Sequence, residues 1–149
     1  MEQHANLTEN VTQAVPFFMV ANLQRSLDFY AGGLGFSLIN QWIPRDHIEW
    51  CWLQLGGAAL MLQEIRKNNS VKKYEDRIQG LGVSICFQCR DSLLLYHQFK
   101  EKKLNPAEPF VGNGLWVVII TDPDGYRLEF SSPTTVAEET RYSDYKASS

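Results

Sequence analysis

The chain repeats one pattern of elements at a nearly constant spacing. Asn22 and Asp91, each placed to cap a helix, lie 69 residues apart. Gly57 and Gly125, each in a turn that leads into a strand, lie 68 residues apart. Such a repeat indicates two copies of one supersecondary unit. Because one unit cannot bury both its helix stripe and its sheet, the two units are expected to pair.

Apolar periodicity, turn residues and helix caps predict the elements of each unit, and the repeat makes both units βαβββ. In the first unit, a strand, a helix that Asn22 caps and three strands are predicted at 14–20, 23–33, 36–43, 48–55 and 58–65. In the second unit, a strand, a helix that Asp91 caps and two strands are predicted at 82–89, 92–104, 116–121 and 126–132.

These elements predict an α+β fold in which the two βαβββ modules form a curved mixed-sheet cup. One domain is expected over residues 14–132, with modules at 14–65 and 82–132 and a charged linker at 66–81. Residues 1–13 are predicted to be a flexible lead-in. The polar tail at 133–149 lacks periodicity and is predicted to be mobile or packed on the surface.

Composition argues against several classes of partner. The net charge is −3 and no basic stripe exists, so nothing favours nucleic acid. No apolar run approaches the roughly 20 residues of a membrane span, and the N-terminal residues lack the apolar core of a secretory signal. We therefore expect a cytoplasmic protein that binds neither nucleic acid nor membrane.

The chain has three cysteines, which suits free thiols in a reducing compartment. Cys86 and Cys89 form a CxxC, but the surrounding "VSICFQC" reads as a strand. Positions three apart on a strand point to opposite faces, and a redox CxxC belongs at a helix N-terminus. The prediction is buried structural thiols.

Two stretches match signatures of a known family. The first, "LQRSLDFYAGGLGF" at 23–36, lies early in the first unit, and the second, "DPDGYRLEF" at 122–130, lies late in the second unit. With them the chain resembles the vicinal oxygen chelate superfamily, which includes glyoxalase I, extradiol dioxygenases, and fosfomycin- and bleomycin-resistance proteins. The resemblance covers about residues 14–132. It implies the cup fold and a homodimer, in which halves are sometimes exchanged between chains, but one scaffold hosts many chemistries.

The resemblance also implies where family enzymes hold a metal ion. The four ligand positions, on the first and last strand of each module, fall on Val15, Met61, Ser84 and Glu129. Valine has no donor atom, methionine is a soft ligand and a serine hydroxyl is a poor one. One carboxylate does not hold a divalent ion against water. No metal or other cofactor is therefore predicted, and a divalent metal is disfavoured.

Strand parity selects the side chains expected to line the cup. The expected ligand-binding residues are Phe17, Met19, Trp50, Trp52, Met61, Ser84, Cys86, Trp116, Arg127 and Glu129. The tryptophans suit either core packing or a stacking wall for a flat heteroaromatic molecule. Glu129 suits either an ion pair with Arg127 or Arg45, or contact with a polar or cationic group of a ligand.

Two functions remain open from the sequence. The missing metal ligands favour a metal-free binding protein of the antibiotic-resistance or sequestration type, which holds an amphipathic small molecule in an aromatic cup. The alternative is a superfamily enzyme, a lyase, isomerase or dioxygenase. It would use a divalent metal or Glu129 as a general base, and Glu129 is the main catalytic candidate. His47, Tyr126 or Tyr30 could assist it, and His47 could also pair with Glu129.

Overall fold

Two four-stranded mixed sheets, each with its own helix, form the part of the protein that the computed structural model describes, residues 7–66, 74, 76–77 and 79–149. The first module contains β1 (Phe17–Val20), α2 (Leu23–Leu27), β2 (Ser37–Trp42), β3 (Trp50–Leu55) and β4 (Ala58–Glu64), after a short α1 (Leu7–Asn10). The second contains β5 (Ser84–Gln88), α3 (Ser92–Glu101), β6 (Phe110–Gly112), β7 (Leu115–Thr121) and β8 (Arg127–Pro133), followed by α4 (Tyr142–Ser148).

The two sheets have the same topology. Their strand orders are β1-β4-β3-β2 and β5-β8-β7-β6. In each, the first strand runs parallel to the last, and the other neighbours are antiparallel. The α+β class and the two βαβββ modules are therefore confirmed. The sheets are two separate ladders, since no strand pairing between described residues joins them.

Both predicted helix caps are present. Asn22 Oδ1 accepts a hydrogen bond from the Arg25 amide at 3.0 Å, and Asp91 Oδ1 accepts one from Leu94 at 3.0 Å. These contacts satisfy amides that the first turn of a helix leaves unpaired. After α2 the chain continues as a π-helical turn, Asp28–Gly33, so the helical segment ends at the glycines, as predicted.

Three elements have too few apolar residues in period to be recognised in the sequence: α1, β6 and α4.

The tail is packed rather than loose along much of its length. The Val111 amide donates to the Thr140 carbonyl at 2.9 Å, and α4 places Tyr142 and Tyr145 against Trp116. None of the described helices is long and apolar enough to cross a membrane.

One hydrophobic core joins the modules. Phe36 of the first module meets Phe87 of the second edge to face, with ring centroids 6.0 Å apart. Phe18 stacks on Tyr126 across the same boundary at 4.1 Å. Aromatic pairs of this kind add to the free energy of burying their surface. The two modules therefore fold around shared side chains.

The loop between β7 and β8 fastens the second module to the first. Asp122 is 4% exposed, and its Oδ2 accepts a hydrogen bond from Tyr30 Oη at 2.8 Å. Its Oδ1 accepts from the amides of Asp124 and Tyr126, which closes the loop on itself. Burial raises the pKa of Asp122, although the Tyr30 hydrogen bond opposes that rise.

Asp124, two residues later, carries the second half of this fastening. Its Oδ1 accepts from the Ala21 amide and the Tyr74 hydroxyl, both at 2.9 Å, and Arg25 lies 3.5 Å away. Tyr126 Oη donates to the Met19 carbonyl at 2.8 Å. The β7–β8 loop thus packs against the residues that lead into α2. We call this set of contacts the loop clamp.

Replacing Tyr30 with phenylalanine is expected to destabilise the protein by about 1–3 kcal/mol, because a buried oxygen of Asp122 loses its donor. Urea unfolding of wild type and Tyr30→Phe measures the difference as a lower midpoint at unchanged slope. Tyr145→Phe is the matched control, since Tyr145 is 38% exposed and its ring faces Trp116 outside the clamp. Equal midpoints for the two variants would contradict the assignment.

Candidate functional site

The faces of the two sheets that point away from the helices carry most of the predicted site residues. Along each strand, side chains alternate between the core and this helix-free face. In β8, Leu128 and Phe130 are buried in the core, whereas Arg127 and Glu129 point the other way. In β3, Cys51 and Leu53 are fully buried, which leaves Trp50 and Trp52 on the helix-free side.

The first sheet presents an aromatic and thioether surface. Strand pairing sets Trp42 opposite Trp50, and Trp52 opposite Met61. Phe17 lies on the other side of Met61, and directly paired side chains of adjacent strands share a face. We call this surface the aromatic face: Phe17, Met19, Trp42, Trp50, Trp52 and Met61.

Much of the aromatic face is open to solvent. Phe17 and Trp42 are each 46% exposed, and Met19 is 36% exposed. Trp42 was not among the predicted site residues. The sequence does not show how β2 and β3 are aligned, and it is this register that places Trp42 beside Trp50.

The second sheet presents an ion pair on its helix-free face. Arg127 Nη2 lies 2.8 Å from Glu129 Oε1, and Arg127 Nε donates to the same oxygen at 3.2 Å. Cys86, directly opposite Glu129 on β5, donates from Sγ to Glu129 Oε2 at 3.3 Å. Of the partners predicted for Glu129, the structure shows Arg127.

Arg45 and His47 lie elsewhere. Arg45 pairs with Glu49 at 2.9 Å, and His47 lies 3.1 Å from Glu64, whose other oxygen accepts from the Leu23 amide. Glu64 therefore points toward α2, on the opposite side of its sheet from the aromatic face. This second charged cluster does not belong to the site.

Neighbouring charges set the ionisation of the pair on β8. Partial burial acts to raise the pKa of Glu129, but the Arg127 hydrogen bonds and the Cys86 thiol outweigh it and hold that pKa below its usual value. Burial raises the pKa of Cys86, and Glu129 raises it further. Glu129 is thus a carboxylate at neutral pH, and Cys86 is a thiol.

A cavity of about 450 Å³ opens over this pair. We call it the polar chamber; it is lined by residues 79–84, Gly125, Arg127 and Glu129. Gly80 has φ +68°, and a Cβ there would lie 2.9 Å from the Tyr126 ring, so the loop fits only with glycine. Every residue of this lining comes after residue 78 in the chain, whereas the aromatic face lies between residues 17 and 61, so the two surfaces share no residue.

Ser84 supplies an unpaired polar atom to the polar chamber. Its hydroxyl oxygen is buried and has no partner in hydrogen-bond geometry among the described atoms. It lies close enough to Cys86 and Glu129 to lower the pKa of both groups. The atoms around this oxygen shield it from solvent, so its influence falls on the neighbouring Cys86 and Glu129 side chains.

One prediction about the cup lining and one about the thiols are wrong. Trp116 lies on the helix side of β7, is 5% exposed and packs against Tyr142 and Tyr145, because α4 covers that end of the sheet. Cys86 is exposed rather than buried, because it points to the helix-free face. Cys51 is buried as the parity argument requires, and all three cysteines are free.

With this geometry established, known proteins were compared with the chain. The family model described as the glyoxalase/bleomycin resistance protein/dioxygenase superfamily matches residues 11–130. The chain belongs to this superfamily. No match was found among curated proteins.

Solved structures share the glyoxalase/bleomycin-resistance fold at low identity. TnmS3, an antibiotic binding protein from Streptomyces sp. CB03234, is 19% identical with a TM-score of 0.60, covering 83% of this chain and 98% of its own. A bleomycin resistance determinant encoded on the transposon Tn5 is 21% identical with a TM-score of 0.61, covering 83% and 98%. TioX from Micromonospora sp. ML1 is 15% identical with a TM-score of 0.62, covering 85% and 99%.

The residues at the superfamily's metal positions do not fit a divalent ion. Of Val15, Met61, Ser84 and Glu129, only Glu129 offers a carboxylate, and Arg127 already occupies one of its oxygens. The strand register sets Phe17 opposite Met61 and Cys86 opposite Glu129. Taking these two residues in place of Val15 and Ser84 would add only a protonated thiol to the set of metal ligands. Within the described residues, no three histidine, cysteine or acidic side chains are grouped to hold a metal.

Replacing Arg127 with glutamine is expected to raise the pKa of Glu129, because the guanidinium holds it down. Carboxyl ¹³C NMR titration measures this shift. Arg141→Gln, which removes a cation from Glu108 instead, should leave Glu129 unchanged. A lowered folded-state pKa stabilises the protein above the ordinary value of 4.5, and this contribution disappears as pH falls through the folded value. An unchanged Glu129 titration in Arg127→Gln would refute the pairing.

Proposed function

We propose that the protein is a metal-free binder of an amphipathic small molecule, of the antibiotic-resistance or sequestration type. The observation that carries the proposal is that one chain presents both an open aromatic face, on the first sheet, and a charged, hydrogen-bonding polar chamber, on the second. Ligand sites combine predominantly apolar walls with a few placed polar groups in this way. The relationship to an antibiotic binding protein and a bleomycin resistance determinant supports it at the level of the family.

The aromatic face suits a flat ring system. Trp42 and Trp50 are directly paired on adjacent strands, and Trp52 lies two residues further along β3. Their ring surfaces remain partly exposed although each would gain from burial. A planar apolar ligand recovers that free energy by stacking, and a cationic ring adds attraction to the indole faces.

The polar chamber suits a positively charged or hydrogen-bond-donating group. Glu129 is ionised, and its oxygens have further lone pairs beyond those used by Arg127 and Cys86. A protein that only sequesters its ligand needs these contacts for affinity and needs no metal.

The acid–base alternative is weaker on the same geometry. A general base works best when its pKa lies near the operating pH. The pKa of Glu129 is shifted in the opposite direction, because Arg127 stabilises the carboxylate. A carboxylate held this way is suited to attracting a cation rather than to removing a proton.

The binding proposal predicts saturable quenching of tryptophan fluorescence by proflavine, a planar cation at neutral pH. Glu129→Gln should weaken proflavine binding about tenfold or more, since it removes a charged acceptor. Binding of acridone, a neutral planar molecule, should be unaffected by the same variant. Trp42→Ala should weaken both dyes, whereas Phe110→Ala, at an exposed position of the second sheet, should weaken neither.

Elemental analysis separates the enzyme alternative from this proposal. Purified protein is incubated with manganese, iron(II), nickel or zinc, then desalted and analysed with and without chelator. We expect no metal above background. One metal ion per chain, lost in Glu129→Gln, would overturn the metal-free proposal, and the absence of saturable dye binding would overturn the binding proposal.

We also propose that two copies associate as a homodimer. The edge strand β2 and the residue after it expose apolar side chains on both faces: Leu38, Ile39, Trp42 and Ile43. No charge lies between residues 37 and 43 to oppose self-association, whereas solitary edge strands usually carry one. Exposed apolar surface of this kind marks contact sites.

Sedimentation velocity tests the association. We expect a dimer at tens of micromolar, and a shift toward monomer in Ile39→Asp, because an introduced charge would face its own copy. Val11→Asp is the control, since Val11 is equally apolar and 76% exposed but lies outside the sheets. A wild-type monomer at every concentration would contradict the proposal.

A further inference from the structure

A second and larger cavity lies where the two modules meet. Its volume is about 720 Å³, within the range of roughly 300–1,000 Å³ typical of small-molecule sites. We call it the seam chamber; it is lined by Leu34, Leu55, Gly56, Gly57, Ala58, Cys86, Phe87, Gln88, Cys89, Leu95, Gln98 and Phe130.

Both modules build the seam chamber. The β3–β4 hairpin, residues 55–58, forms one wall from the first module. The opposite wall is β5 with α3 of the second module. Among the described ladders β5 pairs with β8 alone, so its outer edge borders this space. The chamber therefore exists only when the two modules are packed together.

The lining of the seam chamber carries no formal charge. Its polar side chains are the amides of Gln88 and Gln98 and the thiols of Cys86 and Cys89. Burial raises the pKa of both thiols, so they stay neutral at physiological pH. The polar chamber, by contrast, contains Arg127 and Glu129. A charged group would find no counter-ion in the seam chamber and would lose hydration there.

The two chambers adjoin through one contact. Cys86 lines the seam chamber, and its Sγ donates to Glu129, which lines the polar chamber. Phe87 and Phe130, stacked at 4.8 Å, form the apolar floor on the other side of Cys86. The Cys86–Glu129 pair therefore separates an uncharged chamber from a charged one.

We propose that the seam chamber is a second binding site, which takes an uncharged apolar molecule independently of the Arg127–Glu129 pair. Leucine and phenylalanine side chains supply the contact area, and Gln88 and Gln98 supply hydrogen bonds at the rim. A ligand there touches both modules at once, so its binding also stabilises their arrangement.

The probe for the test is N-phenyl-1-naphthylamine, a neutral apolar dye that fluoresces when it leaves water. Titration of the full chain is expected to saturate. Gly57→Phe should weaken binding at least about tenfold, because a phenyl ring displaces ligand volume. Gly57 has ordinary backbone angles and no atom within 4 Å of a built Cβ, so the substitution fits without strain.

Gly32→Phe is the matched control. Gly32 has the same open surroundings but does not line the seam chamber, so dye affinity should not change. Gln98→Glu provides a second variant that adds a charge without bulk on an exposed helix position, and it should also weaken binding. Thermal melting of each variant checks that the fold is retained.

Glu129→Gln separates this site from the proposed function. Dye affinity should be unchanged in this variant, even though its proflavine binding is reduced. The proposal fails if Glu129→Gln weakens the dye as much as Gly57→Phe does, which would place the dye in the polar chamber. It fails as well if wild-type protein shows no saturable signal, or if the signal vanishes when the chain dimerises, which would make the seam chamber an interface between copies.

Discussion

The structure depends on two buried carboxylates in a five-residue loop. Asp122 and Asp124 leave water only because donors outside the loop meet them: the Tyr30 hydroxyl and Ala21 amide of the first module, and the Tyr74 hydroxyl of the linker. A buried carboxylate without such partners would cost several kcal/mol, so the loop folds in one place. The loop clamp therefore determines how the second module sits on the first.

The loop clamp also positions the polar chamber. Arg127 follows Tyr126 directly, and the Tyr126 ring is held by its stack on Phe18 and its hydrogen bond to Met19. From there β8 runs as a regular strand, so alternation alone places Leu128 and Phe130 in the core and Glu129 on the helix-free face. A glutamate in the middle of an apolar strand is thus accounted for by parity: it is not a core residue.

The two sheets share a topology but differ in chemistry. The same face carries tryptophan, methionine and phenylalanine on the first sheet, and an arginine–glutamate pair with serine and cysteine on the second. Within a superfamily whose scaffold supports several reactions, such differences in side chains decide the function. Here the first sheet presents an apolar surface and the second an anionic group already held by a cation, and the proposed binding function rests on this contrast.

Sequence by itself determined the elements whose signals are local. The 69-residue offset, the caps Asn22 and Asp91, and the alternation along β3, β4 and β8 predicted two βαβββ modules and put Glu129 and Arg127 on the helix-free face. Period-2 alternation and side-chain caps act within a few residues, so they are readable without the fold. The short β6 and the polar helix α4 have no such local signal. Contacts with Trp116 and Thr140 stabilise them instead, and these contacts form only in the folded chain.

Tertiary structure decided everything that depends on which segments meet. Trp116 was expected in the cup, but the β7–β8 register sets it opposite Ser132 on the helix side of the sheet, where α4 covers it. Register placed Trp42 beside Trp50 and Cys86 beside Glu129, and only the docked modules enclose the seam chamber. Packing between distant segments is a property of the assembled chain, so no window of sequence specifies it.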